Sequence, residues 1–367
     1  MKSQPHWICR KCCFKDDLFR KYHYRCPRCG SPLDIEYEWR WEPRGVGLNR
    51  YSSMLPLEPL KPLGEASTPL ITREYRGLRL WFKLEYMNPS GSFKDRGSSL
   101  ALSHAYMLGY RRVVEDSSGN TGLSVSLYSR AYGLRATIVV PRHAPRGKKD
   151  LIRIFGAGII EAETRGHATQ IAMELAGEEN TYYVAHLWNP LYPIAYKTIA
   201  YEAYEQGFHG DAVVVPIGSG GLTLGLYHGF KDLYEHGLID QIPLFIGVQG
   251  VSAKPVYTAL YGESSVSGDS MLADGILVEN PPRLMELVRV FKETGGCVVV
   301  IDNKDVVYGL KKLIEMGFLV EPTSATVIPG IEKALESIGL DYVREVLVPL
   351  TGSGLKMTDL LVKLIRL

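Results

Sequence analysis

The sequence contains no apolar run long enough to cross a bilayer, which sets aside a helical membrane protein. Its start, Met1 to Arg10, lacks the apolar core of a secretion signal, so the expectation is a cytoplasmic protein without a membrane partner. Neither sign of charge is in excess: the formal net charge is +2, which supplies no bulk attraction for nucleic acid. No internal repeat and no low-complexity segment occurs, which sets aside a solenoid. Glutamine is scarce, confined to Gln4, Gln170, Gln206, Gln241 and Gln249, a mild thermophile signature. Cysteine is scarce beyond the start: of six, only Cys297 lies outside the first 29 residues, and it reads as a buried strand residue.

What is present is a hydrophobic content of 46%, ample for a core in a chain long enough for two or three domains. Apolar strand-like runs recur at 80–84, 112–114, 136–140, 158–161, 182–185, 212–216, 244–248, 297–301 and 346–350. Helical stretches fall between them, at 98–108, 123–132, 148–155, 167–178, 193–206, 222–234, 282–293, 305–316 and 323–337. This alternation predicts an α/β fold with parallel sheets covered on both faces.

One stretch organises the rest: Asn88-Pro89-Ser90-Gly91-Ser92-Phe93-Lys94-Asp95-Arg96-Gly97. Asn-Pro and Ser-Gly are turn signals, so Lys94 falls at or just after a turn, where strand gives way to helix. A lysine desolvated there stays partly neutral, and a neutral amine attacks a carbonyl to form a Schiff base. Taken alone, the same stretch reads better as a surface lysine beside Asp95 and Arg96 in a solvated first turn. Three further loops change the balance: Asp116-Ser117-Ser118-Gly119-Asn120-Thr121-Gly122, Gly218-Ser219-Gly220-Gly221 and Thr351-Gly352-Ser353-Gly354. Each follows a buried strand and precedes a helix. Such turns gather at the carboxyl ends of parallel strands, where ligands bind and helix N-termini favour an anion. Together with the lysine turn they point to a bound, phosphorylated cofactor.

At the front, Cys9-Arg10-Lys11-Cys12 and Cys26-Pro27-Arg28-Cys29 form two CxxC pairs on expected knuckle turns. Two thiolates from each complete a tetrahedral, closed and therefore structural Zn²⁺ site. Disulfides, or a ribbon that has lost its metal, are the alternatives; Cys13 is a spare thiol that competes as a ligand.

The lysine turn, Ser117-Ser118-Gly119-Asn120-Thr121 and Gly218-Ser219-Gly220-Gly221 resemble the pyridoxal-phosphate enzymes of the tryptophan-synthase β fold, fold type II. Ala273-Asp274-Gly275-Ile276, Glu321-Pro322-Thr323-Ser324-Ala325 and Thr351-Gly352-Ser353-Gly354-Leu355-Lys356 resemble the markers of its threonine synthase and dehydratase branch. The match runs from about Thr68 to the end of the sequence, in the family's order. The resemblance implies two parallel-sheet α/β lobes preceded by a small zinc ribbon, a homodimer, and similar ribbons before some archaeal-type relatives. The expected organisation is a ribbon at 1–38, a packing arm at 39–67 and a catalytic region at 68–367, with a mobile lobe at roughly 98–200.

Residue by residue, the resemblance implies that Lys94 holds the cofactor and moves protons. Gly218, Ser219, Gly220 and Gly221 are expected to cradle its phosphate, with Thr223 adding a hydroxyl. Asn120 is expected at the phenolic oxygen, or else in a left-handed turn. Ser117, Ser118 and Thr121 suit a substrate carboxylate, or else cap a helix. Thr351 is expected at the ring nitrogen, or else as a strand-end cap. A hydroxyl there leaves a weak electron sink, suited to elimination and replacement rather than amino transfer.

The implied activity is threonine synthase-like: O-phosphohomoserine to threonine plus phosphate. The alternatives are a threonine or serine dehydratase and a β-replacement enzyme, such as a cysteate or cysteine synthase using phosphoserine. The substrate-phosphate Asn and Arg of the synthases align with His186 and Tyr192, and Leu222 and Met357 also depart from their pattern. His143, Arg146, Lys148 and Lys149 offer charge from a loop, or form a solvated basic turn. A reading of a different class is a binding protein that presents the basic ribbon (Arg10, Lys11, Lys15, Arg20, Lys21, Arg25, Arg28) with Phe14, Tyr22 and Tyr24 for stacking.

Overall fold

The structure, a computed structural model, describes residues 4–117, 119–142, 144, 146–263, 266–338 and 342–365. Its strands are β1 (His6–Ile8), β2 (Lys15–Asp17), β3 (Asp34–Glu36), β4 (Leu70–Tyr75), β5 (Leu78–Lys83), β6 (Arg112–Glu115), β7 (Arg135–Pro141), β8 (Gly158–Ala162), β9 (Thr181–Tyr183), β10 (Ala212–Pro216), β11 (Leu244–Gly250), β12 (Cys297–Ile301) and β13 (Glu345–Pro349). Its α-helices are α1 (Lys94–Met107), α2 (Asn120–Tyr132), α3 (Arg146–Ile154), α4 (Arg165–Ala176), α5 (Leu191–Glu205), α6 (Gly221–Glu235), α7 (Pro255–Tyr261), α8 (Leu284–Thr294), α9 (Asn303–Glu315), α10 (Pro322–Ala325), α11 (Val327–Ile338) and α12 (Thr358–Ile365). They fall into two compact units: Met1–Ser67 with Asn88–Ala195, and Thr68–Met87 with Tyr196–Leu367.

The first unit carries a three-stranded antiparallel ribbon, in the order β2-β1-β3, and a parallel sheet in the order β8-β7-β6-β9. Trp7, in the central ribbon strand, is fully buried and donates its indole N–H to the Lys21 carbonyl at 3.0 Å. The ribbon docks on α1 through His104, whose Nε2 lies 2.9 Å from the Leu18 carbonyl oxygen. Tyr22 stacks on Tyr182 at 3.8 Å between ring centroids. The segment after the ribbon forms a short 3-10 helix (Gly47–Met54) that buries Leu48, Tyr51 and Met54. Beyond it, Leu60 N–H donates to Ser103 of α1 and Lys61 N–H to Tyr132 of α2, so the arm is tied down by backbone donors.

The second unit holds a six-stranded sheet in the order β12-β11-β10-β13-β5-β4. All pairs are parallel except the β4–β5 hairpin at the edge. Every residue of β10, β11 and β12 is buried. This is why those strands read as unbroken apolar runs rather than alternating ones. Phe82, Val214, Ile246, Val248, Val346 and Val348 belong to one continuous core. Cys297 is buried there as expected, and burial pushes its thiol up to about 11. Lys83 is fully buried but satisfied: its Nζ meets Glu202 at 2.7 Å, Gln206 at 2.9 Å and the Thr68 carbonyl at 2.5 Å.

Two expectations are corrected. The helix expected over 323–337 is broken at Thr326 into α10 and α11. Pro329 has no N–H to give to the Ala325 carbonyl, so one helical hydrogen bond is missing at the break. The basic turn is solvated at Arg146, as expected, but not at Lys148, which lies in α3 and is 2% exposed. His143, named with it, lies outside the described residues.

Candidate active site

Lys94 is the first residue of α1 and follows a turn in which Gly91 N–H donates to the Asn88 carbonyl at 2.7 Å. The helix begins four residues earlier than its sequence pattern indicates. Asp95 is the reason: it is fully buried and accepts from Ser90 N–H and Ser90 Oγ at 2.6 Å each, and from Ser124 Oγ of α2 at 2.5 Å. Asp95 therefore locks the turn to α2 and places a negative charge in the first helical turn, where the helix dipole favours it. Arg96 is also fully buried, so the solvated-turn alternative does not hold. Burial pushes the Lys94 amine down to about 8; the Glu115 carboxylate opposes this and the Arg165 guanidinium adds to it.

The loop after β6 places Asn120 as the first residue of α2, with Gly119 as the N-cap. Asn120 is not among the residues with a left-handed backbone, which removes that alternative. Ser117 is half-buried and its Oγ accepts from Gly119 N–H at 3.4 Å; Thr121 is 2% exposed in the first turn of α2. Ser118 lies outside the described residues. Sequence reasoning passed over Glu115. It ends β6, is fully buried, and its carboxylate meets the His186 ring. The available signal was an acidic residue closing a buried parallel strand at the end where ligands gather.

Tyr192 is 1% exposed and its hydroxyl lies 3.0 Å from Ser98 Oγ. Its ring fills the space over Gly97, where an added Cβ would sit 2.2 Å from Tyr192 Cδ1. Burial pushes the Tyr192 hydroxyl pKa well up and the His186 imidazole well down. Both side chains are therefore neutral. The two positions that the resemblance assigns to an Asn and an Arg here carry paired, uncharged groups.

In the second unit, Gly218, Ser219, Gly220 and Gly221 join β10 to α6. A Cβ on Gly218 would lie 2.4 Å from the Gly275 carbonyl oxygen, so the Ala273-Asp274-Gly275-Ile276 segment packs directly on this loop. Gly220 has φ +84, a conformation that side chains rarely adopt. Thr223, in the first turn of α6, is fully buried, and its Oγ1 has no hydrogen-bond partner among the described residues. A glycine loop, a helix N-terminus and a buried hydroxyl with no partner among the described residues fit a phosphate.

Thr351 is 4% exposed and its Oγ1 lies 2.8 Å from Ser324 Oγ. The helix cap at this end is Ser353, which accepts from Leu355 N–H at 3.3 Å, so capping is not the task of Thr351. Glu321 N–H donates to the Gly352 carbonyl at 2.9 Å, and the Glu321 carboxylate meets Lys356 Nζ at 3.5 Å. The two sequence markers, 321–325 and 351–356, thus form one packed corner.

In the ribbon, the Sγ atoms of Cys9, Cys12, Cys26 and Cys29 all lie within 4.8 Å of one another. Cys9 and Cys29 are 3.5 Å apart and Cys12 and Cys26 3.4 Å. Tetrahedral thiolates on Zn²⁺ stand about 3.8 Å apart, so the set fits that ion. The two knuckles match in backbone: Cys13 N–H donates to Cys9 O, and Gly30 N–H to Cys26 O, both at 2.9 Å. Cys13 is exposed and stands outside the four-sulfur cluster. Three of the seven basic residues named for the ribbon are in ion pairs. Arg10 pairs with Asp34, Lys15 with Glu36 and Arg20 with Asp16, while Tyr22 and Tyr24 rest on Tyr182 and Tyr183. Two of the three aromatic rings that a nucleic-acid face would use, Tyr22 and Tyr24, are thus engaged by the parallel sheet, and Phe14 packs within the ribbon on His23.

Residues 61–352 match the family described as pyridoxal-phosphate dependent enzyme, and the chain belongs to that family. Its α/β fold and glycine loops are those of fold type II, and the protein is an enzyme of the pyridoxal-phosphate-dependent lyase class. Within it, the chain is similar to the threonine synthase of Methanocaldococcus jannaschii, 30% identical over 363 residues, covering 92% of this chain and 89% of the relative. It is 29% identical to the threonine synthase of Mycobacterium bovis, over 82% of this chain and 84% of that one. Among solved structures, maize serine racemase superposes with a TM-score of 0.69 at 20% identity, covering 82% of this chain and 92% of that one. The O-acetylserine-dependent cystathionine beta-synthase of Helicobacter pylori gives 0.67 at 24% identity, over 80% and 95%. Among the described residues, no helix is long and apolar enough to cross a membrane.

Proposed function

We propose that the chain is a threonine synthase-type enzyme that converts O-phosphohomoserine to threonine and phosphate. The observation that carries this reading is the Lys94 amine, half-buried at the start of α1 and pushed down to about 8, so that a reactive fraction of it, about a fifth, is neutral near physiological pH. Bound pyridoxal phosphate would supply the electron sink that makes the proton on the amino-bearing carbon acidic. Lys94 holds the cofactor and then takes and returns protons on one face of the ring. Gly218, Ser219, Gly220 and Gly221, with the Thr223 hydroxyl, hold the cofactor phosphate. Asn120 orients the phenolic side of the ring, and the N-terminus of α2 with Ser117, Ser118 and Thr121 takes the substrate carboxylate. Thr351 faces the ring nitrogen as a neutral partner, which favours loss of a leaving group over amino transfer. The four ribbon thiolates hold a structural zinc.

One observation favours a second reading, a threonine or serine dehydratase. Neutral His186 and Tyr192 offer no cation where the synthases are expected to hold the substrate phosphate. Steady-state assays on O-phosphohomoserine, phosphoserine, threonine and serine decide between them. Threonine and phosphate released in equal amounts from phosphohomoserine is the expected result. A keto acid from threonine or serine, with no turnover of either phosphorylated substrate, selects the dehydratase.

A further inference from the structure

Two neighbouring hydroxyls on one turn of helix reach two different loops. α10 presents Thr323 and Ser324, and successive side chains on a helix diverge by about 100°. Thr323 Oγ1 accepts from the Gly275 N–H at 3.1 Å. Ser324 Oγ accepts from the Gly352 N–H at 2.9 Å and lies 2.8 Å from Thr351 Oγ1. The Gly275 contact passes straight on to the glycine loop after β10. A Cβ on Gly275 would lie 2.9 Å from Thr323 Oγ1, and one on Gly218 2.4 Å from the Gly275 carbonyl oxygen, so Thr323, Gly275 and Gly218 pack without slack. The loops at the two ends follow β10 and β13, which are neighbours in the sheet.

The helix between the loops is held on several sides. Glu321 N–H, just before it, donates to the Gly352 carbonyl at 2.9 Å, and Val320 bridges Ser353. α9 packs closely on it: a Cβ on Gly309 would lie 2.1 Å from the Ala325 carbonyl oxygen. α10 is thus tied to the β13 loop by backbone and side chain, and to the β10 loop through the Thr323 hydroxyl and Gly275. The second hold is the looser one. Thr323 is half-buried and Gly275 exposed, so water takes over the Gly275 N–H when the hydroxyl is removed; the fold survives and the position is lost.

We propose that Thr323 and Ser324 are positioning residues that set the span between the phosphate cradle and the Thr351 hydroxyl, with α10 as the fixed spacer. The inference rests on the proposed function, in which the Gly218 loop holds the cofactor phosphate and Thr351 faces the ring nitrogen. It makes the two ends one unit. Thr323 acts through Gly275 on the phosphate end, and Ser324 acts through Thr351 and Gly352 on the ring end. The spacer needs a hydroxyl at both positions and not merely bulk, since each oxygen accepts from a backbone N–H.

The test uses the full-length chain freed of cofactor. Calorimetry measures its dissociation constants for pyridoxine phosphate, pyridoxine and inorganic phosphate. None of the three carries an aldehyde, so the assignment of Lys94 does not enter. Thr323→Val keeps the shape of the side chain and removes the acceptor. It should weaken pyridoxine phosphate and inorganic phosphate by roughly fivefold to tenfold and leave pyridoxine within about twofold of native. Thr323→Ser should restore native binding. Ser324→Ala should do the converse, weakening pyridoxine phosphate and pyridoxine while sparing inorganic phosphate. A Thr323→Val that weakens pyridoxine as much as phosphate, or weakens neither, overturns the proposal, and so does a Ser324→Ala that weakens inorganic phosphate. If Thr323→Val does not fold, the Ser324→Ala pattern decides alone. Thr223→Val removes a hydroxyl assigned directly to the phosphate and so separates a failure of the underlying reading. If it weakens inorganic phosphate and Thr323→Val does not, the cradle stands and the spacer falls. If neither weakens it, the cradle reading falls as well.

Discussion

Ser324 Oγ lies 2.8 Å from Thr351 Oγ1 and accepts from the Gly352 N–H at 2.9 Å, so one buried serine fixes both the hydroxyl and the backbone of the last glycine loop. Neither Thr351 nor Ser324 carries charge, and this neutrality sets the expected reaction type. Thr351→Asp places a carboxylate where the ring nitrogen is expected and holds that nitrogen protonated. Elimination should slow by roughly tenfold while conversion of cofactor to its amino form, followed by absorbance, becomes measurable. An unchanged ratio of elimination to amino transfer would remove Thr351 from the ring nitrogen.

Lys94 sets the pH dependence of cofactor capture. Its folded pKa, about 8, is lowered from the ordinary lysine value of 10.5, so the ammonium dominates below pH 8 and the nucleophilic amine above it. The rate of reconstitution with pyridoxal phosphate should therefore rise from pH 6 to pH 9 with a midpoint near 8. A reactive amine of ordinary pKa would keep rising beyond pH 10. Lys94→Ala should abolish the borohydride-reducible linkage and lower turnover by about 10³-fold. Turnover within tenfold of native counts against the assignment.

Most of the architecture was legible because buried parallel strands leave unbroken apolar runs, such as Val213-Val214-Val215 and Cys297-Val298-Val299-Val300-Ile301, each fully buried. The glycine loops were legible because glycine marks backbone that must turn or approach closely, as Gly218 does against Gly275. Glu115 was not legible. Its meaning comes from His186, which lies 71 residues on and is brought to it by the pairing of β6 with β9. The burial of Lys148 was equally hidden, since a run of basic residues carries no local mark of which side chain turns inward. The break at Thr326 was readable from Pro329 but was outweighed by the helical pattern on either side.

Gly97 and Tyr192 make a packing prediction. With 2.2 Å between a Cβ on Gly97 and the Tyr192 ring, Gly97→Ala forces the ring or α1 to move. The expected cost is about 1–3 kcal/mol in urea unfolding. Tyr192→Ala removes the obstructing Cγ, Cδ1 and Cε1 atoms, so the double variant should lose less than the two single losses added together, a coupling that independent sites lack. Additive losses in the double variant would show that the ring is not what Gly97 accommodates.

The ribbon supplies the last test, because Cys13 and Gly30 occupy equivalent places in the two knuckles. Cys13 has φ +54 and Gly30 φ +72, and each donates its N–H to the first cysteine of its own knuckle. Glycine is at ease in that conformation and a side chain is not, so Cys13→Gly should stabilise the ribbon by about 0.5–1 kcal/mol. Cys13 stands outside the four-sulfur cluster, so the variant should keep native metal content, about one zinc per chain by elemental analysis. Cys12→Ser removes a ligand and should act in the opposite way, lowering both metal content and thermal stability. Ligand loss acts through folding, since a structural metal and its ribbon fold together. Tyr22 carries any such loss from the ribbon to the parallel sheet of the same unit. It packs on Tyr182 and accepts from Asn189 Nδ2 at 3.3 Å, three residues beyond His186. Cys12→Ser should therefore raise amide hydrogen exchange at residues 182–189 as well as in the ribbon. If Cys13→Gly rather than Cys12→Ser lost the metal, Cys13 would be the fourth ligand and the knuckle equivalence would be wrong.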